Sequence, residues 1–156
     1  MTTQDQRLYK TESPLRRKLR VDYPAGNGRI LLRTEQDWDE DIEPVSISDD
    51  GSISTFELEA DQPFLYFKPC LIRDDGFYWC VGPNKLLLME ESDKRICYPN
   101  FFSSDKGTFS ELVEFPSQIL GRNHRFRAYL PPGYYENTHA FYAVAFMQDG
   151  QNLFFP

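Results

Sequence analysis

Histidine, serine and cysteine could supply a base, a nucleophile or a metal ligand in this 156-residue sequence, yet none stands in a catalytic pattern. The two histidines, His124 and His139, fall in a turn read at Gly121–His124 and in a polar loop, where exposure is expected. Ser103, Ser104, Ser110 and Ser117 lie on no strand-to-helix elbow that would hold a hydroxyl beside a base. Cys70, Cys80 and Cys97 match no zinc spacing, and both histidines are far from them in sequence. The acidic run Asp37-Trp38-Asp39-Glu40-Asp41 begins like a calcium loop, but Ile42 occupies the place where the sharp turn of such a loop needs glycine. No metal site and no cofactor are expected.

Aromatic residues offer a different chemistry. The C–H edges of a sugar ring pack on a π face while neighbouring polar groups bond its hydroxyls, and Trp and Tyr join an apolar body to a polar tip. Trp38, Tyr66, Tyr78 and Trp79 are the carbohydrate-binding candidates. Phe77 and Trp79 alternate on one strand, so the competing reading makes them core. Trp38 has five acidic residues within three positions on either side, and is expected at least half exposed.

The elements that would position these residues read as strands. Alternation at Leu19, Val21 and Tyr23 predicts a half-buried strand over 18–23, followed by a turn at Pro24–Gly28 and a second strand over 29–33. Runs at 45–48 and 52–58 flank Asp49-Asp50-Gly51, a hairpin signal, with Phe56 and Leu58 on the core side. Strands at 64–72 and 77–81 flank Arg73–Gly76, and 86–89 is a further short strand. A two-residue Asp75-Gly76 turn would place Cys80 opposite Leu71 and Cys70 opposite Val81, with the two sulfurs on opposite faces of the sheet. No helical period is sustained before residue 100, so the first domain is expected to be an all-β sandwich. Residues 93–106 read as a linker partly packed by its aromatics. Beyond it, 108–115, 125–130 and 142–147 have strand character.

The net charge of −7 argues against nucleic acid or anionic membrane as a partner. The charge is unevenly spread: residues 1–20 carry six basic side chains, and 34–67 carry eleven acidic ones and no basic one. Either both are solvated faces, or they meet within or between chains. With no apolar leader and no membrane-length apolar run, the expected setting is cytoplasmic, with all three thiols free.

Two motifs carry a family resemblance. The stretch from Ser117 through Arg125-Phe126-Arg127-Ala128-Tyr129-Leu130-Pro131-Pro132-Gly133-Tyr134-Tyr135 is similar to the start of the enterochelin-esterase-like α/β-hydrolases. In that family a buried strand ending in Asp-Gly-Gln follows, and Phe141–Met147 with Gln148-Asp149-Gly150-Gln151 resembles it. The preceding β-domain occupies the place of an immunoglobulin-like accessory domain. Its layout also resembles glycogen-binding carbohydrate-binding modules: Trp38, the Asp50-Gly51 hairpin, Tyr66-Phe67-Lys68, and Trp79 before Gly82-Pro83-Asn84.

The resemblance implies a mainly β chain, an immunoglobulin-like, carbohydrate-binding-module-like sandwich followed by the first strands of an incomplete α/β-hydrolase. The expected organisation is a flexible arm over 1–17, the sandwich over 18–92, the linker over 93–106, and a truncated hydrolase portion over 107–156. It implies a serine esterase as the parent, with backbone amides at Gly150 and Gln151 contributing to an oxyanion hole only in a complete homologue. No Gly-x-Ser-x-Gly elbow occurs, so this chain alone is expected to be inactive. The alternative is a stand-alone carbohydrate-binding or protein-docking module. Strand 142–147 would lack its hydrolase neighbours. It is expected to dock on another edge, to pair with a second chain in self-association through this C-terminal strand, or to stay unpaired.

Overall fold

Period-two alternation becomes two facing sheets in the computed structural model, which describes residues 10–11, 13–91 and 94–148. The chain is mainly β, with no helix among the described residues. The strands are β1 (Leu15–Asp22), β2 (Arg29–Thr34), β3 (Asp37–Ile42), β4 (Ser46–Ile47), β5 (Ile53–Ala60), β6 (Phe64–Arg73), β7 (Gly76–Trp79), β8 (Lys85–Leu88) and β9 (Arg95–Cys97). Four short strands follow: β10 (Thr108–Phe109), β11 (Val113–Ser117), β12 (Arg122–Phe126) and β13 (Tyr129–Leu130).

One sheet has the order β4-β5-β1-β9, and the other has the order β3-β2-β6. On the far edge of β6, β8 pairs along Phe64–Phe67 and β7 along Cys70–Arg73, so two short strands share one long one. Leu19, Val21, Phe56 and Leu58 face inward from the first sheet and meet Ile30, Leu32, Leu65, Phe67, Leu71 and Leu87 from the second. Phe56 and Leu58 point where alternation predicts. Burial of these side chains supplies the main driving force, since each fully buried Leu or Phe is worth about 1.5–3 kcal/mol.

Turn chemistry closes the β4–β5 hairpin. Gly51 takes φ 72°, a left-handed conformation that side chains other than glycine rarely adopt. The Asp50 carboxylate accepts from Ser48 Oγ at 2.6 Å and from the Ser52 amide at 3.0 Å. Those bonds, Ser48 first, bring its pKa down to about 2. The β6–β7 hairpin differs from expectation. Arg73 pairs with Gly76, so Asp74-Asp75 form the turn and Leu71 faces Tyr78 rather than Cys80. This register differs by two residues, which preserves the faces. Cys80 therefore lies in the core, and Cys70 lies on the opposite side of the sheet, outside the core cluster.

All three cysteines are free and buried. Burial pushes the Cys70 and Cys97 thiols up to about 12. Denatured, unreduced protein is therefore expected to titrate three thiols. The folded protein at pH 8 should react far more slowly than an exposed cysteine, because both access and the thiolate fraction are small. Fewer than three thiols on denaturation would contradict the free state.

Two strands were not legible in the sequence. The acidic run forms β3, paired to β2 at Thr34–Asp37 and Leu32–Ile42 with a bulge between. Inside the segment read as a linker, β9 pairs parallel to β1, placing Cys97 in the core together with Phe101. The basic segment and the acidic run also meet within the chain. Arg16 pairs with Glu59 at 2.6 Å, Lys18 with Glu57 at 3.2 Å and Lys10 with Asp61 at 3.7 Å. Exposed pairs of this kind contribute little stability and mainly favour the register.

After the sheets, β10 pairs with β13 and β11 with β12, two separate two-stranded ladders. The turn between β11 and β12 spans Gln118–Gly121, so His124 sits in a strand and is partly buried, not exposed in a turn as expected. His139 is likewise partly buried, because the tight turn around Asn137 holds its loop against the sheets. The segment 141–147 forms no strand. Its first rings touch Tyr98 and Tyr134, whereas Phe146 is 97% exposed.

Candidate functional site

The outer face of the second sheet carries two of the four predicted aromatics, Tyr66 and Trp79. Register sets Leu31, Cys70 and Trp79 side by side across β2, β6 and β7, with Ile72 and Phe77 in the next row. Farther along β6, Tyr66 lies opposite Leu86 and Phe64 opposite Leu88. Trp79 is 41% exposed and Tyr66 40%, enough to offer a ring face while the rest of each side chain is packed. Phe77 and Trp79 are therefore surface residues and not core.

Arg33 organises this face. Its guanidinium carbon lies 4.8 Å from the Phe77 ring centre and 5.2 Å from that of Trp79, within the range of cation–π attraction. The two rings meet edge to face, with centres 5.5 Å apart. Asp41 accepts from Arg33 Nε at 2.6 Å, and the Trp38 carbonyl accepts from Nη1 at 2.9 Å. The bond to Asp41 raises the Arg33 pKa, so the charge is permanent. Leu31 and Cys70 are buried outside the core cluster, in the rows that these side chains cover.

Tyr78 does not share this face. Tyr78 points to the opposite side of the sheet, where it packs against the core and meets the Phe102 ring edge-on at 4.9 Å. Strand alternation separates it from Trp79, so the two do not share a surface. Trp38 is partly buried rather than half exposed. Its acidic sequence neighbours say nothing of the face it takes once β3 is a strand, and its backbone is held by Arg33. Gly150 and Gln151 lie outside the described residues.

Among the described residues, the hydroxyls of Ser103, Ser110 and Ser117 bond no histidine. Ser103 Oγ donates to Glu136, Ser110 Oγ donates to the Glu111 carbonyl, and Ser117 Oγ accepts from the Leu120 amide. Among the described residues no group of three or more His, Cys, Asp or Glu gathers as a metal site. An open groove of about 380 Å³ is lined by Ala25–Gly28 and Arg73–Asp75, and no predicted site residue lines it. No helix among the described residues is long and apolar enough to cross a membrane.

Sequence reasoning missed a polar hub that joins the later segments to the sheets. The Glu136 carboxylate accepts from the amides of Phe101 at 2.5 Å, Phe102 at 3.1 Å and Ser103 at 2.7 Å. It also accepts from Ser103 Oγ at 2.5 Å and from the Tyr23 hydroxyl at 3.0 Å. Burial alone would raise the Glu136 carboxyl, but the donors led by Ser103 outweigh it and hold its pKa below the ordinary value. Asn137 beside it is buried and donates to the carbonyls of Asp22 and Pro99, both at 2.9 Å. Gly133, at φ 76°, sets up the turn, and a Cβ there would lie 2.7 Å from Asn100.

Comparison with family models, with curated proteins and with solved structures gave no match to this chain.

Proposed function

We propose that this chain is the non-catalytic, amino-terminal accessory region of a serine esterase, and that the outer face of its second sheet binds carbohydrate. In this reading the facing sheets are an immunoglobulin-like sandwich of the carbohydrate-binding-module kind, and the short ladders after it belong to the hydrolase portion. The observation that carries the binding role is the exposed Trp79, Phe77 and Tyr66 surface ordered around Arg33. A pre-ordered aromatic surface loses little side-chain entropy when a flat ring stacks on it. The esterase context rests on the two motifs, from Arg125 to Tyr135 and from Phe141 to Gln151. The setting proposed is cytoplasmic, without cofactor, nucleic acid or membrane as partner.

Titration of tryptophan fluorescence with maltooligosaccharides or glycogen tests the binding role. Saturable quenching is expected, with Trp79→Ala reducing the affinity roughly tenfold or more, the usual scale for losing one aromatic stacking partner. Silence across both ligands would favour the second reading, a protein-docking face. The neighbouring exposed Leu86 and Leu88 on the same surface support that reading. Self-association through 141–147 is also proposed, from the exposed Phe141, Val144 and Phe146. Sedimentation over a concentration range checks it.

A further inference from the structure

The charged groups on the outer face of the second sheet are engaged by the protein itself. Arg33 is bound by Asp41 and by the Trp38 carbonyl, and the Lys68 ammonium donates to the Gly82 carbonyl at 2.9 Å. Glu35 accepts from the Tyr66 amide at 3.0 Å, at the end of the same strand pair. The Arg33 side chain is 18% exposed and Asp41 38%, so the ion pair lies partly within the surface. Its guanidinium is turned to the rings of Phe77 and Trp79, and Cys70, in the same row as Trp79, is fully buried. An anionic sugar would have to draw Arg33 away from Asp41 and from both rings at once, or pull the Lys68 ammonium from the Gly82 carbonyl. A neutral ring needs only the exposed aromatic faces and nearby polar atoms.

We infer that Arg33 is the positioning residue of this face, fixing Phe77 and Trp79 for stacking, and that with its charge already matched by Asp41 the face takes a neutral saccharide and not a uronate. The inference rests on the carbohydrate-binding reading for its ligand, but not for the role of Arg33. Without the guanidinium the two rings would keep only their edge-to-face contact with each other, and the cover over Cys70 would loosen. Lysine would not substitute fully, because an ammonium lacks the planar fork that reaches Asp41 and the Trp38 carbonyl together while lying on two rings.

The test uses the full chain as wild type, Arg33→Met, Arg33→Lys and Asp41→Asn. Alkylation by iodoacetamide is followed without sugar and mapped to each cysteine by mass spectrometry. Maltoheptaose and an oligogalacturonate are then titrated at two salt concentrations. Arg33→Met is expected to speed Cys70 alkylation about tenfold and to weaken maltoheptaose binding by about five- to tenfold, the scale of losing a partly desolvated cation–π contact. Asp41→Asn should shift both in the same direction by less, and Arg33→Lys should restore only part. Unchanged Cys80 and Cys97 rates show that the fold is intact.

Unaltered Cys70 reactivity in both Arg33→Met and Asp41→Asn would overturn the positioning role. Tighter wild-type binding of oligogalacturonate than of maltoheptaose would overturn the ligand class. If the wild type binds neither sugar while Cys70 is uncovered as expected, the carbohydrate reading falls and the ligand class with it, and the positioning role stands.

Discussion

Glu136→Ala is expected to lower the unfolding free energy by about 3 kcal/mol, because hydrogen bonds to a charged group contribute about 1.5–3 kcal/mol and orphaned buried donors add their desolvation cost. Its carboxylate accepts three consecutive backbone amides, one serine hydroxyl and one tyrosine hydroxyl. Alanine removes the shared acceptor of all five. Glu136→Gln keeps the volume and one acceptor oxygen, and should lose about half as much. Denaturant midpoints at constant slope measure both.

The pH dependence has a defined sign. The folded-state pKa of Glu136 lies below the ordinary value of 4.5, so the unfolded chain binds the proton more readily. The stabilisation is complete above 4.5 and is lost as pH falls through the depressed folded value. The gap between wild type and Glu136→Gln should therefore be constant near neutrality and narrow in acid. A loss below about 0.5 kcal/mol for Glu136→Ala, the ordinary range of a surface substitution, would show that the hub does not hold the segment in solution.

Phe56→Ala is expected to cost about 3–5 kcal/mol, the usual range for removing a buried phenyl ring from a packed core. Phe56 has no solvent exposure, sits opposite Leu19 on β1, and lies in the cluster shared by both sheets. A domain with a total stability of about 5–15 kcal/mol would lose a large share of it. Phe77→Ala is the matched control, since Phe77 keeps 38% of its surface in solvent and lies on the outer face. It should cost much less, about 1 kcal/mol. Equal losses at the two positions would contradict the assignment of faces, and with it the exposed aromatic surface.

Local chemistry was enough to set the parity of the strands and the position of the β4–β5 hairpin. Leu19 and Val21, or Phe56 and Leu58, alternate with charged residues, so only one face of each strand can be buried. Asp50-Gly51 supplies both the left-handed residue and the carboxylate that closes the turn. The opposite placement of Cys70 and Cys80 was legible for the same reason, since a two-residue difference in register leaves every side chain on its own face.

The tertiary structure decided what parity leaves open. Along β7 and the residue after it both alternating sets are apolar or aromatic, Phe77 with Trp79 and Tyr78 with Cys80, so composition could not say which set meets the core. The pairing of Leu71 with Tyr78 decides it, because Leu71 already faces inward. Strand β3 carries four acidic residues and no apolar alternation, and it exists because β2 offers an edge. The parallel pairing of β9 with β1 joins segments more than seventy residues apart, and no local pattern encodes a partner at that distance. Glu136 and Asn137 read as ordinary loop residues until the fold brings the Phe101–Ser103 amides and the Asp22 and Pro99 carbonyls to them. A hydrogen-bonding side chain takes its role from the unpaired backbone groups that tertiary packing leaves beside it.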